Sequence, residues 1–140
     1  GHETSVAGAL ADVADIVLRS VNPSDWLVVS QSADAATIAA ALAAIPGLSV
    51  ADQSDGQVLM AIAGPDVRTI LAKCVAVDLH ADVFAEGASA QRMICRVAGN
   101  LARTGTDTFE IIVPRSYAGY VFDEIREAGR EFAMTRGFGE

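Results

Sequence analysis

Gln91-Arg92-Met93-Ile94-Cys95-Arg96-Val97, Ala98-Gly99-Asn100, Leu101-Ala102-Arg103-Thr104, Gly105-Thr106-Asp107 and Thr108-Phe109-Glu110-Ile111-Ile112-Val113 run in sequence and decide the fold class. The first run alternates polar and apolar residues, as a strand with one buried face should. Ala98-Gly99-Asn100 reads as a turn or bulge, after which Leu101–Thr104 continues the strand. Gly105-Thr106-Asp107 is the next turn, and Thr108–Val113 returns as a further strand. Pro114-Arg115-Ser116 then opens the last helix, with Ser116 as its expected N-cap. Its apolar stripe is Tyr120, Val121, Ile125, Ala128 and Phe132, at helical spacing.

Upstream, Gln57-Val58-Leu59-Met60-Ala61-Ile62-Ala63 is apolar throughout, which predicts a central strand buried on both faces. Gly64-Pro65-Asp66 ends it and opens a helix whose buried stripe is Val67, Ile70, Leu71 and Cys74. Val77-Asp78-Leu79-His80 to Gly87 is irregular and contains Phe84. Nearer the N-terminus, Ile16–Val21 and Trp26–Ser30 flank the turn Asn22-Pro23-Ser24-Asp25, a β-hairpin pattern. Asp34 is placed to cap a helix carrying Ile38, Leu42 and Ile45 on one face, stopped by Pro46-Gly47. Leu48–Ala51 reads as a short strand. Hairpin, helix, two strands, helix, meander, helix predicts one α+β domain over residues 1–140, a mostly antiparallel sheet with helices packed on it.

Composition narrows the function classes. Half the residues are hydrophobic, which excludes a disordered chain. The net charge is −8, Lys73 is the lone lysine and the arginines are scattered, so nucleic-acid binding by counterion release is set aside. No run reaches the roughly 20 apolar residues of a membrane span. No basic stretch followed by an apolar core marks a secretory signal at Gly1-His2-Glu3-Thr4, and His2 carries no functional weight. Cys74 and Cys95 form no CxxC or Cys/His cluster. They read as free buried thiols in a reducing compartment rather than a disulfide, so the cytoplasm is the expected location.

A search for chemistry finds little. His80 lies two residues from Asp78, a spacing that serves either a base and its orienting carboxylate or a hydrogen bond that pins a loop. A single such histidine gives too few ligands for zinc. Neither GxGxxG nor GxxxxGK[ST] is present, so no flavin or nicotinamide is expected on this chain alone. Asp123-Glu124 and the pair Asp52 and Asp55 read as solvated carboxylates. Trp26 serves either as a core anchor of the hairpin or as an interface residue. Tyr117 and Tyr120 belong at a half-buried edge.

Several of these pieces together resemble a known family. They are Asn22-Pro23-Ser24-Asp25-Trp26-Leu27-Val28-Val29, Ala63-Gly64-Pro65, Asp78-Leu79-His80, Phe84-Ala85-Glu86-Gly87 and Val113-Pro114-Arg115-Ser116-Tyr117. The pattern covers about four-fifths of the chain and is similar to the gamma subunit of heterotetrameric sarcosine oxidase, whose fold is related to the folate-binding domain of the glycine-cleavage T-protein. The resemblance implies a non-catalytic structural subunit of an enzyme that oxidatively demethylates sarcosine to glycine, with hydrogen peroxide and methylene-tetrahydrofolate made by partner subunits. It places FAD, FMN, NAD, tetrahydrofolate and zinc in the alpha, beta and delta subunits; against the usual family member this chain is shorter at its N-terminus, so a leading strand or arm is expected to be absent. T-protein domains also carry an aspartate for folate chemistry after the first strand of the meander. Here that place reads Ala98-Gly99-Asn100-Leu101-Ala102-Arg103, without a carboxylate.

The alternative is a stand-alone folate- or small-ligand-binding module, with Asp78, His80 and Arg115 converging on a pocket. A third reading is self-association of the isolated chain into a homo-oligomer.

Overall fold

The computed structural model describes residues 2–13, 15–22, 25–30, 32–43, 45–75 and 84–135. They divide into two compact units, Gly1–Asp55 and Gly56–Glu140.

The first unit contains helix α1 (His2–Ala9), strands β1 (Val17–Asn22) and β2 (Asp25–Val29), and helix α2 (Ala35–Leu42). The strands pair antiparallel from Val17 opposite Val29 to Asn22 opposite Asp25, the expected hairpin. Asp34 caps α2 as expected, its carboxylate accepting from the Thr37 N–H at 2.8 Å. Helix α1 has no counterpart in the sequence expectation. It forms because Val6 and Leu10, one turn apart, bury themselves with Leu42, Ile38, Leu18 and Val28. The expected strand at Leu48–Ala51 does not form, and Val50 is 48% exposed. Gly47 takes a left-handed φ of 76°, and the Ser54 N–H closes a tight turn onto Asp52, so the segment never runs alongside a partner strand. Trp26 is half-buried on β2.

The second unit contains β3 (Gln57–Ala63), α3 (Val67–Ala72), β4 (Ser89–Ile94), β5 (Val97–Gly105), β6 (Thr108–Pro114) and α4 (Arg115–Thr135). The four strands form one antiparallel sheet in the order β3-β6-β5-β4. Met60, Ile111 and Leu101 lie in one row across it, and Ile62, Phe109 and Arg103 in the next. Those rows face the core that Val67 and Leu71 of α3 share with Val121 and Ile125 of α4. The fold is α+β, as the meander predicts.

Four expectations are corrected. β3 is an edge strand, not a central one, and Leu59 is 38% exposed. Its burial alternates although its hydropathy does not: Val58, Met60 and Ile62 are half-buried while Leu59, Ala61 and Ala63 are exposed. The turn of the first hairpin falls at Cys95-Arg96, where both residues take left-handed φ values of 49° and 72°. That is the geometry of a tight two-residue hairpin turn, so Ala98-Gly99-Asn100 belongs inside β5. Helix α4 starts at Arg115 directly off β6, whose Arg115 N–H donates to the Gly56 carbonyl at 2.8 Å, so Ser116 lies within the helix. Finally, Tyr120 is 46% exposed; the buried stripe of α4 is carried by Val121 and Ile125, with Ala128 half-buried. The side chain of Phe132 lies outside the described residues.

Candidate functional site

The segment that carries Asp78 and His80 is held at both ends. On the upstream side, α3 runs out at Ala72, and the Cys74 carbonyl accepts from the Cys95 N–H at 2.8 Å. Val75 forms an antiparallel bridge with Ile94 at the end of β4. Residues 76–83, which follow, lie outside the described residues. Asp78 and His80 are among them, so their expected hydrogen bond and ligand role lie outside the description.

The downstream end is anchored by Arg103, a buried arginine of β5. Its Nε donates to the Gly105 carbonyl at 3.1 Å, one terminal nitrogen to Phe84 at 3.1 Å and the other to Thr106 at 2.9 Å. Backbone bonds from Gly87 N–H to the Arg103 carbonyl (2.7 Å) and from Arg103 N–H to the Ala88 carbonyl (2.9 Å) complete the clamp. Phe84 is buried and stacks on Phe109, with ring centroids 6.2 Å apart and planes inclined by 10°. A guanidinium can be buried here because carbonyl oxygens take up its donors. Sequence reading saw Arg103 only as a place lacking a carboxylate. The available signal was a charged residue in a run of small and apolar ones.

Arg115, the third predicted ligand residue, is exposed at the C-terminal end of β6. Phe84 is fixed beside Phe109 at the other end of that strand, a span of seven residues or roughly 20 Å. Arg115 therefore stands far from the downstream anchor of the segment. Asn100 occupies the middle of β5 at 1% exposure, a neutral amide opposite Ile112. Asp52, Asp55, Asp123 and Glu124 are exposed. Among the described residues no three His, Cys, Asp or Glu side chains are grouped to hold a metal ion.

The two cysteines, remote in sequence, meet in space. Both are free, Cys95 buried and Cys74 half-buried. Burial first, then the hydrogen bond from the Cys95 thiol to Cys74, push the Cys95 thiol up to about 12. In the first unit, an open cavity of about 490 Å³ is lined by apolar residues and Asp15. The Asp15 carboxylate already accepts from the Ser32 hydroxyl at 2.7 Å, so this depression offers no convergent set of polar groups.

A two-layer α+β unit with this strand order, preceded by a hairpin and a helix, defines the class. The chain belongs to the GCVT N-terminal domain family, which it matches over residues 8–139. It is 30% identical over 128 residues to an aminomethyltransferase from Saccharopolyspora erythraea; the match takes in 86% of this chain and 34% of that protein. The chain thus spans about a third of the length of the curated relative it matches. Its fold is similar to a chain of the heterotetrameric sarcosine oxidase from Corynebacterium sp. U-96, solved in complex with pyrrole 2-carboxylate. That likeness has a TM-score of 0.82 at 22% identity and covers 93% of this chain and 73% of the other. The T-protein and sarcosine oxidase resemblance read from the sequence holds at the level of family and fold.

Proposed function

We propose that this chain is a non-catalytic structural subunit of a heterotetrameric sarcosine oxidase, corresponding to its gamma subunit. The observation that carries the reading is the fold likeness, which extends over 93% of this chain. In this reading the alpha, beta and delta subunits hold FAD, FMN, NAD, tetrahydrofolate and zinc, and the complex demethylates sarcosine in the cytoplasm. No helix among the described residues is long and apolar enough to cross a membrane. Leu59, Met93, Tyr117, Tyr120 and Phe122 are exposed large apolar residues of the second unit, the kind of surface a subunit interface covers. Co-expression with the genes that neighbour this one tests the reading. A flavin-coloured complex that contains this chain is expected; a chain that purifies alone from such a strain overturns the proposal.

A second reading is favoured by the family itself. As a GCVT N-terminal domain, the chain is a candidate folate-binding module, with Asp78, His80 and Arg115 as ligand residues. Titration calorimetry of the isolated chain with tetrahydrofolate separates the two. Saturable heat supports the module, and no heat at millimolar ligand removes it.

A further inference from the structure

Cys74 and Cys95 are separated by a segment whose middle, residues 76–83, carries Asp78 and His80. The fold brings its two ends together. Val75 bridges antiparallel to Ile94, which places Cys74 directly opposite Cys95. The Cys95 N–H donates to the Cys74 carbonyl at 2.8 Å, while the Cys74 N–H turns back to the Leu71 carbonyl at 2.9 Å, so a single backbone bond joins the two residues. A shared backbone bond of that length keeps the two Cα atoms less than about 7 Å apart, within reach of the spacing a disulfide spans. The two thiols are close enough for Cys74 to raise the proton affinity of Cys95. Cys95 also occupies the first position of a two-residue turn with φ of 49°, where asparagine or glycine would sit without strain. A buried thiol held at a strained turn position, against a second, more accessible thiol, is an arrangement that hairpin geometry alone does not call for.

We propose that Cys74 and Cys95 form a reversible dithiol–disulfide site that locks the end of α3 to the β4–β5 turn, under the control of low-molecular-weight disulfides. Cys74, the more exposed of the two, reacts first. Its sulfur attacks one sulfur of an external disulfide such as oxidised glutathione; the Cys74 proton goes to water, and one glutathione leaves as thiolate. Cys95 then gives up its proton, and its sulfur displaces the second glutathione from Cys74. Two protein thiols are oxidised by two electrons, and one external disulfide is reduced to two thiols. Burial keeps Cys95 protonated until the mixed disulfide is beside it, so it serves as the resolving thiol and not as the entry point. The bond ties the end of α3 to the β4–β5 turn, so oxidation fixes these two elements to each other. The inference is independent of the sarcosine oxidase reading, because it uses only thiols of this chain.

The test is equilibration of the folded full chain in buffers of graded reduced-to-oxidised glutathione ratio, acid quench, alkylation of remaining thiols and peptide mass spectrometry. The expected result is loss of two hydrogens per chain and a crosslinked peptide pair containing Cys74 and Cys95, fully reversed by dithiothreitol. Cys95→Asn, whose new side chain suits the left-handed turn, keeps the fold and is expected to stop at a glutathione adduct on Cys74. Cys74→Ala is expected to leave Cys95 unmodified while the chain stays folded. Stable glutathione adducts on the wild-type chain without a crosslink, or no oxidation at any ratio, overturn the proposal. So does rapid modification of Cys95 in the Cys74→Ala variant while circular dichroism reports a folded chain.

Discussion

The guanidinium of Arg103 donates to the carbonyl of Phe84 at 3.1 Å, while the Phe84 ring lies against Phe109. One polar and one apolar contact thus fix Phe84 ahead of β4. Arg103→Met keeps the length of the side chain and removes its donors to three carbonyls. The expected loss is about 1–3 kcal/mol, since the buried Phe84 carbonyl is left without its donor and two part-buried carbonyls lose theirs. Urea unfolding measures it, and faster amide exchange at Gly87 and Ala88 localises it.

Phe84→Ala removes the stacked ring and opens a cavity over Phe109. The expected destabilisation is about 3–5 kcal/mol, with Phe84→Leu costing less than half of that. A loss under 1 kcal/mol for the alanine variant, measured by thermal or urea unfolding, contradicts the described packing.

Two glycines offer opposite outcomes. A Cβ at Gly99 would meet the Ile112 carbonyl oxygen and Val113 Cγ1, each at 2.8 Å, inside the central pairing of β5 and β6. Gly99→Ala is therefore expected to cost about 1–3 kcal/mol through backbone displacement. Gly119 sits in α4 with nothing within 4 Å of a would-be Cβ. Gly119→Ala is expected to stabilise by about 0.5–1 kcal/mol, because alanine restricts the unfolded chain and favours helix. Paired denaturation curves read both.

Cys95 gives stability an alkaline limit. Its thiol titrates at about 12 in the folded chain and near pH 8.5 when unfolded, so in that interval the folded state holds a proton that the unfolded state has lost. The contribution is fully present below the unfolded value and is lost as pH rises toward 12, at up to about 1.4 kcal/mol per pH unit. Cys95→Asn is expected to flatten this arm of the stability–pH curve, measured by urea unfolding between pH 8 and pH 10.5 under reducing conditions.

Asp34 acts at the acid end. Hydrogen bonds from Thr37 hold its carboxyl below the usual carboxylate range. Its contribution is present above the unfolded value and disappears as pH falls through the lower folded one. Asp34→Asn is expected to retain the cap and lose this acid dependence, whereas Asp34→Ala loses the cap at every pH. Amide exchange at Thr37 and Ile38 distinguishes them.

The sequence by itself determined the elements whose cause is local. The signal at Asn22–Asp25 called for the hairpin pairing of β1 with β2, Asp34 for a cap, and Gly64-Pro65 for the boundary between a strand and α3, because each depends on residues a few positions apart. The meander pattern was enough for an α+β fold, and the Asp78-Leu79-His80 and Val113–Tyr117 signatures pointed to the family. Of the ligand residues, Arg115 was correctly seen beside the start of α4, but its distance from the Phe84 anchor was not legible. Only the tertiary structure decided which strand is central. β3 is the most apolar strand, yet it lies at the edge, while β5, with Gly99, Asn100 and Arg103, is enclosed between β6 and β4. A residue's burial depends on which strands flank it, and hydropathy records only its own side chain. The same reason hid the meeting of Cys74 with Cys95: it depends on where a two-residue turn ends one strand, and the left-handed conformations at Cys95 and Arg96 carry no glycine to announce it.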